Sequence, residues 1–171
     1  MQPTIFVLFG ATGDLARRMV LPAFAALAAA DLLPEKWVLI GNGRKDEDDA
    51  WFADHVKEVL DDDAQFAAVK DHLMFAGNGF SVDNPGDLPD TVARAREQVG
   101  DDALLVHYIA LPPSTFEPYV QALDAHGLAK GSRVVFEKPY GTSPEAYRHL
   151  EGVVHGVLDA LVTSFAAKLG E

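Results

Sequence analysis

The sequence predicts an α/β fold: a single three-layer α/β/α domain built on a doubly wound parallel sheet. Three observations lead to this class. Short apolar segments alternate with longer helical ones, as in βαβ units. The first apolar segment runs unbroken from Ile5 to Phe9 and ends at Gly10, as expected of a strand covered on both faces. A length of 171 residues with 49% hydrophobic residues allows one sizeable core.

The first half of the chain supplies the elements that surround this strand. A helix rich in alanine and leucine is predicted from Asp14 to Ala30, and Pro22 is expected to kink it because proline cannot donate within a helix. A second strand is predicted for Trp37 to Ile40. The acidic stretch from Asp46 to Val69 predicts one or two surface helices, and His72 to Phe75 a short third strand.

The second half continues the alternation. The predicted elements are a helix at 90–99, a strand at 103–110, a helix from 114 to about 125, a strand at 133–136 and a last helix from about 143 to 162. The Pro112-Pro113 pair ends the fourth strand. Residues 1–162 are therefore predicted to form one domain, and residues 163–171 an irregular C-terminal tail.

Composition excludes several classes of function. A formal net charge of −12 without any block of Lys and Arg disfavours nucleic acid and anionic membranes as partners. The chain has no cysteine, which excludes disulfides and thiolate metal sites. The longest apolar run, Met19 to Ala30, is too short to span a bilayer. The histidines and the Asp61-Asp62-Asp63 run lack metal-ligand spacing, so we predict no metal. From the short apolar runs and the missing cysteine we expect a soluble, cytoplasmic protein.

The turn Gly10-Ala-Thr-Gly13-Asp14 lies between the first strand and the first helix. Glycines let the backbone turn sharply and approach a diphosphate, while free amides and the helix dipole attract the anion. The Thr12 hydroxyl can donate to a phosphate oxygen. This context predicts a Rossmann-like dinucleotide site, with an ordinary tight turn as the alternative.

The end of the second strand indicates which dinucleotide is bound. NAD-specific folds usually place an Asp or Glu there for the ribose hydroxyls, whereas this chain has Gly41-Asn42-Gly43-Arg44-Lys45. Arg44 can bind a phosphate through two hydrogen bonds, which favours NADP over NAD. A solvated Arg-Lys pair in a loop is the alternative.

Two further strand ends carry candidate residues. Residues 109–113 end the fourth strand where ligands of open α/β sheets bind, and His107 within that strand is predicted to be a core residue. The pair Glu137-Lys138 follows the fifth strand. Charged side chains next to a buried strand are costly unless each binds an opposite charge or a ligand. Lys138 therefore either contacts substrate or pairs with Glu137. The other five histidines are interpreted as surface residues.

Five segments fall in the order and approximate spacing of one known family, from the start of the chain to about residue 150. They are Gly10-Ala-Thr-Gly-Asp-Leu-Ala-Arg-Arg18, Gly41-Asn-Gly-Arg44, Gly77-Asn-Gly-Phe80, His107-Tyr-Ile-Ala-Leu-Pro-Pro113 and Phe136-Glu-Lys-Pro-Tyr-Gly141. In this combination the chain resembles the NADP-binding domain of the glucose-6-phosphate dehydrogenase family, which oxidises glucose 6-phosphate to 6-phosphogluconolactone in the pentose phosphate pathway.

The resemblance implies particular site residues. Cofactor contacts would come from Gly10, Thr12, Gly13, Asp14, Leu15, Arg44, Ala110, Leu111, Pro112 and Lys138. Lys138 matches the lysine with which the family bridges sugar phosphate and cofactor, and is therefore the implied substrate-binding residue. No catalytic residue is assigned, because the family's Arg-Ile-Asp-His-Tyr-Leu-Gly-Lys-Glu segment is missing and Met19 follows Arg17-Arg18 where a third basic residue is usual.

Two interpretations of function remain open at this stage. Either the chain is the cofactor-binding part of an NADP-dependent dehydrogenase, or it is a non-catalytic NADP(H)-binding or regulatory module without a substrate domain. A homo-oligomer or a separate substrate-domain partner is expected in either case, because a lone domain would leave apolar surface exposed. Another sugar oxidoreductase family with Glu-Lys-Pro after the fifth strand usually has a tighter three-glycine turn. Short-chain dehydrogenases need Tyr-x-x-x-Lys, whereas Tyr147 precedes Glu151 by four residues.

Overall fold

A computed structural model of the chain describes residues 1–137, 143–157 and 163–164. Within these residues the sheet has six parallel strands in the order β3-β2-β1-β4-β5-β6. The strands are β1 (Thr4–Phe9), β2 (Trp37–Asn42), β3 (Leu73–Ala76), β4 (Leu104–Ile109), β5 (Arg133–Phe136) and β6 (Thr163–Ser164). The predicted doubly wound α/β class is confirmed.

Six α-helices connect these strands within the described residues. They are α1 (Leu21–Ala29), α2 (Asp49–Val59), α3 (Asp63–Val69), α4 (Leu88–Val99), α5 (Phe116–Ala125) and α6 (Pro144–Val157). Short 3₁₀ turns lie at Lys70–His72 and Pro113–Thr115. The side chains of Asp48 and Asp62 accept hydrogen bonds from the first-turn amides of α2 and α3, which fixes where those helices begin.

Two cores lie on opposite faces of the sheet because strand side chains alternate between faces. Ile5, Val7 and Phe9 of β1 belong to the core that α4, α5 and α6 cover. Leu8 belongs to the other core, together with residues of α1, α2 and α3. The chain starts at the centre of the sheet, moves outward to β3, and returns to place β4 against β1. The carboxyl ends of β1 and β4 consequently lie side by side, with Phe9 opposite Ile109.

The face that carries α1 is only partly covered beside β4 and β5. On β4, Leu105, His107 and Ile109 are buried, whereas the alternate positions, 104, 106 and 108, are half-buried. Val135 of β5 is half-buried too. Nearby, α1 consists entirely of apolar residues, and 40% of Leu27 is exposed. Among the described residues, apolar side chains of α1 and of this half of the sheet therefore remain partly exposed.

Pro22 follows a π-helical turn at the start of the first helix. A π-helical turn, Ala16–Val20, precedes α1, and the amide of Leu21 donates to the Ala16 carbonyl one residue beyond the α-helical partner. Proline lacks the amide that an α-helix needs, and its ring crowds the carbonyl four residues earlier. The wider π turn accommodates that ring at the second residue of α1.

Most element boundaries agree with the sequence analysis to within about two residues, and three differences have clear causes. The second strand continues to Asn42, because Gly41 has no side chain to collide with the Phe52 ring above it. The fourth helix begins at Leu88, since Pro89 is accepted in a first turn. Thr163–Ser164, predicted within the irregular tail, pair with β5 as β6. The single-domain boundary at residue 162 stays a prediction.

His107 is a core residue, as predicted. It is fully buried, and its Nε2 atom lies 2.9 Å from the Leu128 carbonyl oxygen. Because a carbonyl only accepts, the Nε2 atom carries the proton and the Nδ1 atom is left buried without a partner among the described residues. Burial lowers the pKa of His107 from 6.5 to about 4, so the ring is neutral near pH 7.

Each helix that the structure describes is too short or too polar to span a lipid bilayer. The same part of the chain contains no cluster of three or more His, Asp or Glu side chains placed to bind a metal ion.

Candidate functional site

The turn after β1 is built on glycine. Gly10 has φ +74°, a backbone region that other residues rarely adopt. A Cβ atom at this position would lie 2.7 Å from the Ala110 carbonyl oxygen and 2.8 Å from Cδ2 of Leu111. Glycine is thus required twice, for the backbone angle and for the contact with the end of β4. The Gly13 amide then donates to the Gly10 carbonyl at 3.0 Å and closes the turn.

Several amides of this turn are available to an anion. The Ala11 amide donates to the Asn42 carbonyl, and the Arg17 amide to the Gly13 carbonyl. By contrast, the amides of Thr12, Asp14 and Leu15 have no hydrogen-bond acceptor within the described part of the chain. They form the amino-terminal end of the first helical segment, where such amides and the helix dipole attract negative charge. Thr12, Gly13 and Asp14 are exposed, so a ligand can reach them.

The acidic side chain at this helix end is paired locally. A carboxylate oxygen of Asp14 lies 3.2 Å from Nε of Arg18, one helical turn away, and both side chains are largely exposed. Surface pairs of this kind contribute little to stability. Their effect here is electrostatic, because the guanidinium partly offsets a negative charge beside the proposed anion site.

Asn42 joins the first turn to the end of β2. Its side chain is buried and donates to the carbonyls of Ala76, at 2.9 Å, and Gly79, at 3.3 Å. Its main-chain carbonyl accepts from the Ala11 amide. As a result, Gly43 lies beside Thr12: a Cβ atom on Gly43 would be 3.7 Å from the threonine hydroxyl. The two segments predicted from sequence to bind the dinucleotide are therefore neighbours in space.

Two cations flank the end of β2. Arg44 is exposed and close enough to Tyr119 of α5 for its charge to oppose the rise that burial causes in the pKa of the phenol. Lys45 lies against α2, with its Nζ atom 5.3 Å from the centre of the Trp51 ring. Within a chain of net charge −12, this edge presents positive groups beside the free amides of the first turn.

The end of β4 completes the arrangement. The Ala110 amide donates to the Phe9 carbonyl at 3.1 Å, and the side chain of Leu111 reaches Gly10. One strand further, the Tyr108 hydroxyl donates to the carboxylate of Glu137. Glu137 is therefore held by a partner other than Lys138, and Lys138 itself lies outside the described residues. The predicted segments at 10–15, 44 and 110–112 thus lie at one edge of the sheet.

Sequence reasoning missed His55 and interpreted it as a surface residue. The ring is only half-exposed, and its Nε2 atom is buried without a hydrogen-bond partner in the described structure. It stacks on Trp51, with ring centres 5.6 Å apart. Burial, followed by the nearby charge of Arg17, lowers the pKa of His55 below its ordinary value. The only signal in the sequence was its spacing from Trp51 and Phe52, which places all three near one helix face.

Comparisons with known proteins agree on one relationship. Residues 7–161 match the family described as glucose-6-phosphate dehydrogenase, NAD binding domain. A glucose-6-phosphate 1-dehydrogenase from Dickeya dadantii is 33% identical over 164 residues, which cover 90% of this chain and 32% of that protein. Glucose-6-phosphate 1-dehydrogenase 2 from Mycobacterium tuberculosis is 30% identical over 177 residues, covering 91% and 33%. The chain thus spans about a third of the length of these relatives.

Solved structures give the same result. A crystal structure of glucose-6-phosphate 1-dehydrogenase from Mycobacterium avium superposes with a TM-score of 0.75 at 28% identity, covering 95% of this chain and 36% of that one. A scyllo-inositol dehydrogenase from Lactobacillus casei, at 16% identity and a TM-score of 0.51, shares the fold alone.

Proposed function

The chain belongs to the glucose-6-phosphate dehydrogenase family, in its NAD-binding domain, and from that premise we propose that it binds NADP at the edge formed by the ends of β1, β2 and β4. The observation that carries this proposal is the turn after β1, where a glycine at positive φ exposes three amides at a helix start that have no partner among the described residues. The residues present fit a dinucleotide: the turn would hold the diphosphate, with Thr12 and Asp14 beside it.

Preference for NADP rests on the charges at the end of β2. No acidic side chain follows this strand directly, and Arg44 and Lys45 flank it instead. A 2′-phosphate bound there would gain charge-assisted hydrogen bonds from Arg44, whereas the ribose hydroxyls of NAD would lack their usual carboxylate partner. The end of β4, Ala110 to Pro112, would border the nicotinamide half.

As an enzyme, the protein would oxidise glucose 6-phosphate to 6-phosphogluconolactone, the reaction by which its family feeds the pentose phosphate pathway of the cytoplasm. NADP would accept the hydride. Lys138 would bind both sugar phosphate and cofactor. The alternative is a non-catalytic NADP(H)-binding or regulatory module, which is favoured by Met19 in the place of the family's third basic residue.

An oligomer or a separate substrate-domain partner would cover the surface left open beside α1. The half-buried positions of β4 and the exposed side chains of Met19 and Leu27 support this proposal. Apolar patches of this kind mark surfaces that other protein elements cover.

Titration calorimetry with NADP and NAD tests the proposal. We expect NADP to bind more tightly than NAD, and Arg44→Ala to weaken NADP binding about 10- to 100-fold, because the lost hydrogen bonds are to a charged phosphate. Asp46→Ala changes a nearby exposed side chain but removes no cation. This variant is the matched control and should retain NADP affinity. NADPH formation on addition of glucose 6-phosphate would support the dehydrogenase. NADP binding without NADPH formation would support the regulatory module. Failure to bind either dinucleotide would refute cofactor binding.

A further inference from the structure

His55 lies against the turn that forms the proposed diphosphate site, although it belongs to another helix. Its imidazole faces the main-chain carbonyl of Ala11, within the turn itself. The Nε2 atom is buried and has no hydrogen-bond partner of proper geometry in the described residues. The ring is fixed by stacking against Trp51, at an interplanar angle of 8°. A buried nitrogen without a partner is costly, and it is rarely retained without a use.

The position of Ala11 gives this contact its significance. The Ala11 carbonyl and the Thr12 amide belong to one peptide unit, which is planar and trans. In such a unit the carbonyl and the amide point in opposite directions. A group that holds the carbonyl toward α2 therefore turns the Thr12 amide outward. This amide is one of the three that lack a partner in the part of the chain that the structure describes. A hydrogen bond to the carbonyl also polarises the peptide and strengthens its amide as a donor.

We propose that His55 is a positioning residue of the cofactor site. When a dinucleotide binds, the imidazole donates a hydrogen bond to the Ala11 carbonyl, which it faces without such a bond in the described structure, and so aims the Thr12 amide at the diphosphate. This inference rests on the proposed binding of a dinucleotide at the turn. His55 touches no cofactor atom itself, so its role is exerted through the Ala11–Thr12 peptide.

The charges around His55 predict how dinucleotide binding changes the pKa of its imidazole. Arg17 faces it from the start of the first helical segment, Lys45 from the loop after β2, and Glu58 from its own helix. Burial and the Arg17 charge hold the pKa of His55 below its ordinary value in the free protein. A diphosphate at the turn adds negative charge beside these groups, which favours the protonated ring. Binding therefore raises the pKa of His55, and by linkage the dinucleotide binds more tightly as the pH falls.

The test is an NMR titration of the histidine imidazoles in the whole chain, with and without saturating dinucleotide. NAD is the first probe, since it carries the diphosphate but lacks the 2′-phosphate, which titrates in the same pH range. We expect the pKa of His55 to rise with NAD and with NADP. His72, at the opposite end of the sheet and hydrogen-bonded to the Trp37 carbonyl, is the internal control and should not respond. An unchanged His55 pKa in the NAD-saturated protein would overturn the proposal.

Two variants separate the hydrogen bond from packing. His55→Phe keeps the stacked ring and removes the donor; its dinucleotide affinity should fall about three- to tenfold, the range for one neutral hydrogen bond. His55→Gln places an amide donor near the Nε2 position and should restore affinity to within about twofold. Equal binding by wild type and His55→Phe would overturn the role of His55 and leave cofactor binding intact. A wild-type protein that binds neither dinucleotide would overturn both.

Discussion

Replacing Gly10 with alanine tests the geometry on which the whole site depends. The alanine backbone would be held at φ +74°, and its Cβ atom would lie 2.7 Å from the Ala110 carbonyl oxygen. The left-handed backbone costs about 1–2 kcal/mol for a residue with a Cβ atom. Crowding against a backbone atom that cannot rotate away adds about 1–3 kcal/mol, as in other overpacked sites. We therefore expect Gly10→Ala to lower the free energy of unfolding by about 3 kcal/mol.

Gly127→Ala supplies the matched control. Gly127 also has positive φ, +71°, but nothing lies within 4 Å of its Cβ position. This variant should lose only the backbone part, about 1–2 kcal/mol. Urea unfolding monitored by circular dichroism measures both values, and calorimetry measures NADP binding to the folded variants. Gly10→Ala should also lose NADP binding, whereas Gly127→Ala should retain it. Equal destabilisation of the two variants would refute the close approach between the first turn and the end of β4.

Two further predictions concern the dependence of stability on pH. A pKa lowered from 6.5 to about 4 means that His107 protonates more readily in the unfolded chain, so the protein should lose about 3 kcal/mol between pH 7 and pH 4 from this group. In urea unfolding, His107→Leu should remove that part of the acid sensitivity; an unaltered slope would contradict a neutral buried ring. Burial tends to raise the pKa of Asp49, but hydrogen bonds from Arg94 and the Phe75 amide bring it below its ordinary value. Its stabilisation is present above the unfolded pKa and is lost as the pH falls through the lowered pKa of the folded protein. Asp49→Asn should therefore cost about 1 kcal/mol at pH 7, after allowance for screening at a partly exposed site, and progressively less below the unfolded pKa. A loss that did not depend on pH would contradict an ionic role for Asp49.

The sequence predicted the fold because strands and helices alternate regularly, and the burial of His107 because it lies inside an apolar strand. It also identified the segments that meet at one edge of the sheet, since strand ends gather there in any parallel sheet. Their roles in binding the cofactor stay predictions. The π-helical turn was not predictable in form, because sequence indicates that Pro22 disturbs a helix but not where the strain is absorbed.

Asn42 and His55 illustrate what a sequence pattern leaves out. Asn42 is buried because its side chain satisfies the carbonyls of Ala76 and Gly79, which lie more than thirty residues away in the chain. His55 faces the turn at Ala11, which lies more than forty residues earlier in the chain. Both depend on which segments the folded chain brings together, and no local periodicity records that.

The return of the chain from β3 to β4 determines when during folding the site can exist. Each residue of β1 pairs with one that lies 100 positions later, from Thr4 with Leu104 to Phe9 with Ile109. Such pairing closes a long loop, whose entropy must be lost before any contact is gained, and contacts of this kind slow folding. Gly10 meets Ala110 only once that loop has closed. The turn is local in sequence, but its close contact with the end of β4 forms only together with this long-range pairing, so a dinucleotide that needs the complete turn would bind the folded domain.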